Sequence, residues 1–223
     1  MENTAALVKK FESEFRPFNA RLVAVSKTRK PQEILLAYEA GQRLFGENYV
    51  QELLDKKNSL PEDIQWHFIG HLQTNKVKSL APFIACIQSV DSVRLLHEID
   101  KQAARNDRKI DCLLQIHIAN ESSKFGFTPD EAITLMNDPQ VTGLKNIRII
   151  GLMGMATNTD DLTAVRSEFR SLKKLFDKLK VAHTDFHEIS MGMSGDYKIA
   201  LEEGASLIRI GSSIFGERVQ TMK

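Results

Sequence analysis

Cysteine is scarce in this chain: Cys86 and Cys112 are the only two, each inside an apolar run, "IACIQSV" and "IDCLLQI". That usage excludes a disulfide framework and a zinc cage, and it fits buried free thiols in a reducing compartment. An excess of either charge is missing as well. With a formal net charge of +1, the chain carries no electrostatic footprint for nucleic acid or an anionic membrane. Any anionic ligand must therefore be small and held locally. Long apolar runs are also absent; nothing approaches the ~20 residues of a membrane span. The opening "MENTAALVKKFESEF" mixes both charge signs and does not read as a signal peptide. The expectation is a cytoplasmic protein with neither membrane nor nucleic acid as partner.

No linker rich in Pro, Gly or Ser and no low-complexity tract divides the chain, so residues 1–223 read as a single domain. What recurs is a short apolar or β-branched run, a few polar residues, then a helical pattern. Eight candidate strands stand out: Leu22–Ser26, Arg43–Gly46, Ile64–Ile69, Ile84–Val90, Cys112–Ala119, Ile147–Gly151, Phe186–Met191 and Ser206–Ile210. Between them, "PQEILLAYEAG" starts a helix on Pro31 and stops it at Gly41. From Asp160 to Lys180, a stripe of Leu162, Val165, Phe169, Leu172, Leu175, Phe176 and Leu179 repeats at helical spacing. An additional helix, Glu2 to Phe15, precedes the first strand. Alternating strands and helices imply a parallel sheet, and eight strands of similar length favour closure into a (β/α)8 TIM barrel. The competing open Rossmann-like sheet lacks its G-x-G-x-x-G after the first strand.

Active sites of such barrels lie at the C-terminal strand ends, and here those ends are rich in polar residues. Strand one ends in "VSKTRK", placing Lys27 at the rim; strand two runs into "FGENYVQE", placing Asn48 there. Strands seven and eight are followed by "SMGMSGDY" and "RIGSSIFG", the places where barrel phosphate sites form. Gly192, Gly195 and Gly211 allow close backbone approach, Ser194, Ser212 and Ser213 offer hydroxyls, and helical turns follow. A small phosphorylated ligand is expected. Lys27 faces the same mouth, either as a point charge for phosphate or as an amine nucleophile. Arg209 alternates with Ile208 and Ile210 and should point into the barrel, where a cation needs a partner. It either pairs with Glu188 or Glu47 or donates to a ligand ring nitrogen. His67, in strand three, is either a satisfied packing residue or a ligand contact. No carboxylate or cysteine stands at metal-ligand spacing around His67, His71 or His97, so no metal site is expected.

The ordered fragments "AVSKT", "FGENYVQE", "WHFIGHLQTNK", "SVDS", "SKFG", "GLMGMA", "SMGMSGD" and "RIGSSIFG" span nearly the whole chain. Together they resemble the pyridoxal phosphate homeostasis family, barrels similar to the alanine racemase N-terminal domain. The resemblance implies that Lys27 holds pyridoxal 5′-phosphate as a Schiff base. It also implies that Ser194, Gly211 and Ser212 hold the phosphate, that Arg209 faces the pyridine nitrogen, and that Asn48 and His67 line the ring and aldehyde side. Lys124 would be a second amine nearby. The family more often has threonine where this chain has Ser212, a change that keeps the hydroxyl.

An arginine cannot give up its proton, so an arginine partner leaves the pyridine neutral and weakens its electron-sink chemistry. Racemases with such an arginine add a tyrosine from a further C-terminal domain, and here the sequence runs out at Lys223, just past strand eight. The expectation is a carrier that buffers pyridoxal phosphate and supplies it to apoenzymes, not an enzyme. The alternatives are a small racemase or lyase using the same cofactor and a phosphosugar enzyme with Lys27 as a clamp. Charged helix faces such as "DKQAARNDRK" and "RSLKKLFDKLK" predict a monomer.

Overall fold

The computed structural model describes residues 4–119 and 125–216. Eight parallel strands close on themselves in sequence order, and β1 pairs with both β2 and β8. They are β1 Arg21–Val25, β2 Leu44–Glu47, β3 Gln65–Phe68 and β4 Cys86–Val90, then β5 Ile110–Ile116, β6 Ile147–Gly154, β7 Glu188–Ser190 and β8 Leu207–Ile210. Every expected strand is present. The fifth begins two residues early, at fully buried Ile110, and ends where the His117 amide turns to bond Phe127. The sixth continues to Gly154, past its expected end at Gly151. Its pairing shifts register there, and a Cβ on Gly151 would lie 1.7 Å from the Glu188 carbonyl oxygen. Only glycine allows β7 to approach this closely.

The outer helices are α1 Thr4–Phe15, α2 Pro31–Glu39, α3 Val50–Lys57, α4 Val77–Leu80 and α5 Val93–Ala104. Following these come α6 Pro129–Met136, α7 Pro139–Thr142, α8 Leu162–Ala182, α9 Tyr197–Glu202 and α10 Ser212–Phe215. Asp161 caps α8, its carboxylate accepting from the amides of Thr163 and Ala164. The expected α8 stripe is buried except for Leu162, which is exposed at the helix's first position. Glu168 is buried in addition, because its carboxylate accepts from the amide and hydroxyl of Thr157 in the loop after β6. Among the described residues, no helix is long and apolar enough to cross a membrane.

Alternation along the strands divides the core. Leu22, Ala24, Phe45, Trp66 and Phe68 face the helix layer, while Val23, Cys86, Leu113, Met153 and Leu207 fill the lumen. The added helix α1 buries Val8, Phe11 and Phe15. Phe11 meets the Tyr197 ring edge-on at 5.7 Å, and the Tyr197 hydroxyl bonds Glu14. Burying such side chains stabilises by roughly 1.5–3 kcal/mol each, and α1 packs against α2, α10 and β1 as well as Tyr197.

Candidate functional site

A cavity of about 390 Å3 opens at the C-terminal ends of the strands, within the size range of small-molecule sites. One wall carries Val25, Lys27, Thr28 and Arg29, which close β1. The opposite arc carries Met193, Ser194 and Gly195 after β7, then Gly211 and Ser212 after β8. Asn48, Ile69, Met155 and Arg209 complete the lining. Six of the seven expected residues thus meet in one cavity: Lys27, Asn48, Ser194, Arg209, Gly211 and Ser212. Lys124 lies outside the described residues.

The loops after β7 and β8 take their shape from local backbone. Gly192 has φ of 90°, and a Cβ there would sit 2.5 Å from the Ala200 Cβ, so the turn into the loop needs glycine. Asp196 then closes the loop by accepting from the Met193 amide at 2.6 Å. The Ser212 hydroxyl donates to Ser194 at 3.3 Å, joining the two loops. Helix α10 opens at Ser212 directly behind Gly211; the Ile214 and Phe215 amides donate to the Gly211 carbonyl, while those of Ser212 and Ser213 have no helical carbonyl ahead of them.

The Lys27 side is held from beneath. Buried Lys56 donates to the Ser26 carbonyl and Glu47 at 2.7 Å each, and to Glu52 at 2.5 Å. Glu52 also accepts from the Thr28 amide, and Thr28 has φ of 65°, a left-handed conformation that strains a β-branched residue. Burial pushes the Glu47 carboxyl up despite Lys56, and its second oxygen has no hydrogen-bond partner. The sequence hid this cluster: Lys56 reads as one more surface lysine of an amphipathic helix. Its signal was Glu47, a carboxylate at the outward position after inward-facing Gly46.

Arg209 points into the barrel as expected, but its partners are neither Glu188 nor Glu47. Glu188 lies one layer lower, bonded to Arg21 and Ser206, and Glu47 faces the helix layer. Arg209 instead donates to the Ser190 hydroxyl at 2.5 Å and to the Gly154 carbonyl at 3.0 Å. Burial pulls its pKa down to about 10, which still leaves it charged at neutral pH. His67 is not brought to the cavity lining. It is a buried lumen residue whose Nδ1 lies 2.8 Å from the Gln88 amide nitrogen, and burial lowers its pKa to about 3. His71 stacks on Phe125 with centroids 4.4 Å apart and reaches Asp91 at 2.9 Å. Among the described residues, no group of three His, Cys, Asp or Glu side chains is placed to hold a metal ion.

Residues 2–219 match the family model of the alanine racemase N-terminal domain. A pyridoxal phosphate homeostasis protein from Aquifex aeolicus (strain VF5) is 39% identical over 201 residues, covering 89% of this chain and 87% of the relative. The chain belongs to the pyridoxal phosphate homeostasis protein family. A human member of the family is 39% identical over 217 residues, covering 91% of this chain and 78% of the human one. Among solved structures, PipY of Synechococcus elongatus PCC7942 without PLP superposes with a TM-score of 0.89 at 33% identity, covering 95% of this chain and 99% of PipY. PipY with PLP bound gives 0.86 at the same 33% identity, covering 96% and 100%. The alanine racemase of Clostridium difficile 630, at 14% identity and a TM-score of 0.74, shares the barrel fold; the match covers 96% of this chain and 56% of the racemase.

Proposed function

We propose that this protein binds pyridoxal 5′-phosphate in the mouth cavity and buffers and supplies it, as a cytoplasmic carrier handing it to apoenzymes without turnover. The observation that carries this reading is the joining, in one cavity, of an amine, an anion cradle and a buried guanidinium. The name of the relatives and the PLP-bound PipY support it. The residues present fit the group. Asn48 Oδ1 is buried at the cavity with no hydrogen-bond partner, an acceptor awaiting a ligand donor. Ser194, Ser212 and the opening of α10 provide donors for a phosphate.

Bound pyridoxal phosphate supplies an aldehyde that condenses with amines and a ring that withdraws electrons. Lys27 would supply the amine for that aldehyde. Ser194, Gly211 and Ser212 anchor the phosphate, and Ile69 and Met155 offer apolar contact to the ring. Arg209 donates toward the ring nitrogen and cannot yield a proton to it, which limits electron withdrawal. Among the described lining residues there is no carboxylate, imidazole, thiol or phenol, which leaves this lining short of acid–base groups. Holding the cofactor is what such a set does well; moving substrate protons is what it does poorly.

The purified protein should absorb in the visible and lose the band on borohydride treatment, with the added mass on the Lys27 peptide. Lys27→Ala should remain folded and lack the band. An unchanged spectrum in that variant defeats the assignment of Lys27, and substantial racemisation of an amino-acid panel by the parent defeats the carrier reading.

A further inference from the structure

A single line of hydrogen bonds crosses the barrel lumen from β8 to β3. Arg209 bonds Ser190 at 2.5 Å, Ser190 bonds Gln88 at 2.7 Å, and Gln88 bonds His67 at 2.8 Å. All four side chains are buried, Gln88 and Ser190 completely. The link from Ser190 to Gln88 joins β7 to β4 on the far wall, between residues 102 apart in sequence.

The direction of the line is fixed by its first member. A guanidinium only donates, so the Ser190 oxygen accepts from Arg209 and its one proton must go to Gln88. Gln88 therefore turns its carbonyl oxygen to Ser190 and its amide nitrogen to His67. An amide N–H can bond Nδ1 only where that nitrogen carries no proton, so His67 is neutral with its hydrogen on Nε2. Reversal is blocked. Protonating Nδ1 would rotate the Gln88 amide, leaving the Ser190 oxygen between two donors with its own hydrogen unplaced. The depressed pKa of His67 has the same sense. Arg209 is thus restrained at two nitrogens by neutral acceptors, Ser190 and Gly154.

We propose that Gln88 and Ser190 are positioning residues, which fix the Arg209 guanidinium beneath the cofactor ring through a one-way hydrogen-bond chain ending on neutral His67. The consequence for the cofactor rests on the reading given under Proposed function; the chain itself does not. In such a site the ring meets a cation that can neither swing away nor hand over a proton. Neighbouring dipoles in a low-dielectric lumen also reinforce one another along the line.

The test has two arms. In the unmodified apoprotein at neutral pH, nitrogen NMR of labelled histidine, with the His67 signals assigned from a His67→Gln sample, should find Nδ1 bare and Nε2 protonated. A proton on Nδ1 overturns the chain whether or not any cofactor binds. In the second arm, Gln88→Leu and Gln88→Glu are titrated with pyridoxal phosphate. Gln88→Leu, checked for fold by circular dichroism, should bind about tenfold more weakly and shift the visible band, because Ser190 loses its acceptor. Gln88→Glu still accepts from Ser190 and should stay within about threefold of the parent, while His67 Nδ1 becomes protonated opposite the new carboxylate. A folded Gln88→Leu with parental affinity and spectrum overturns the positioning role. Loss of all binding in the parent would instead strike the proposed function, leaving the NMR arm to judge the chain.

Discussion

The two ends of this barrel carry cavities of similar size, about 390 Å3 at the C-terminal mouth and about 440 Å3 at the N-terminal end. Both contain arginine. The N-terminal cavity is lined by Arg16, Arg21 and Arg43, yet two of these are matched internally, Arg21 by Glu188 and Arg43 by Asp63 at 2.8 Å. At the mouth, the hydrogen bonds of Arg209 go to a hydroxyl and a carbonyl, and Asp196 acts on it only through space. An arginine bonded directly to a carboxylate presents little net charge to a ligand, whereas one hydrogen-bonded by neutral acceptors keeps more of its charge available. The mouth also receives the N-terminal ends of the helices, and the other end their C-terminal carbonyls. Volume does not distinguish the two cavities; what their cations already touch does.

The comparison breaks most visibly at Arg209. Arg209→Glu places an unpaired carboxylate in the lumen and strips Ser190 and Gly154 of their donor, so stability should fall by about 3–5 kcal/mol in denaturant titrations. In the fraction that folds, a carboxylate beside the ring nitrogen should protonate it, shift the absorption band and permit side reactions with amino acids. A variant that binds and absorbs like the parent would mean that Arg209 does not face the ring. The matching change at the other end is Glu188→Leu. It leaves Arg21 without its acceptor and the Ser206 hydroxyl with only the more distant Ile189 carbonyl, at about 2–3 kcal/mol, held below a fully buried pair because Arg21 is half exposed. Cofactor affinity should stay within about twofold of the parent. If affinity fell with Glu188, the two ends would be coupled and the contrast between them wrong.

How much of this was legible in the sequence depends on distance along the chain. Apolar runs such as Leu22–Val25 declare strands because burial on both faces of a parallel sheet requires them. Their order declares a barrel, and the polar residues just past each run declare the rim. Lys27, Ser194, Gly211 and Ser212 could therefore be placed without coordinates. Contacts across the lumen could not. That Ser190 reaches Gln88 depends on barrel diameter and stagger, which no local pattern encodes. Even so, "CIQSV" places a glutamine at the same inward parity as Cys86, and a buried residue of that kind demands a partner. Arg209 was open in the opposite way: an acidic partner was one of two expectations, beside a ligand ring nitrogen, and within the lumen its hydrogen bonds go to neutral groups. Leu162 matched the α8 stripe by spacing but precedes the part of the helix that reaches the barrel.

The smallest effect sharpens the comparison by pH. His67 titrates near an ordinary 6.5 when unfolded and near about 3 when folded, because burial disfavours the imidazolium and Arg21 below it adds repulsion. The unfolded chain therefore binds a proton that the folded one refuses. Stability from this group is fully present above 6.5 and is lost as pH falls from 6.5 toward 3. The loss is about 1.4 kcal/mol by pH 5.5, read as the difference between parent and His67→Gln in urea titrations at each pH, so that other groups cancel. Glu47, outside the barrel, works with the opposite sign: its raised carboxyl pKa contributes stability below the ordinary value and loses it as pH rises. A parent whose acid slope equals that of His67→Gln would show the lumen histidine accepting a proton in the folded state. The Nδ1 facing Gln88 would then carry a proton at acid pH, and the line from Arg209 would run one way only above the histidine's own pKa.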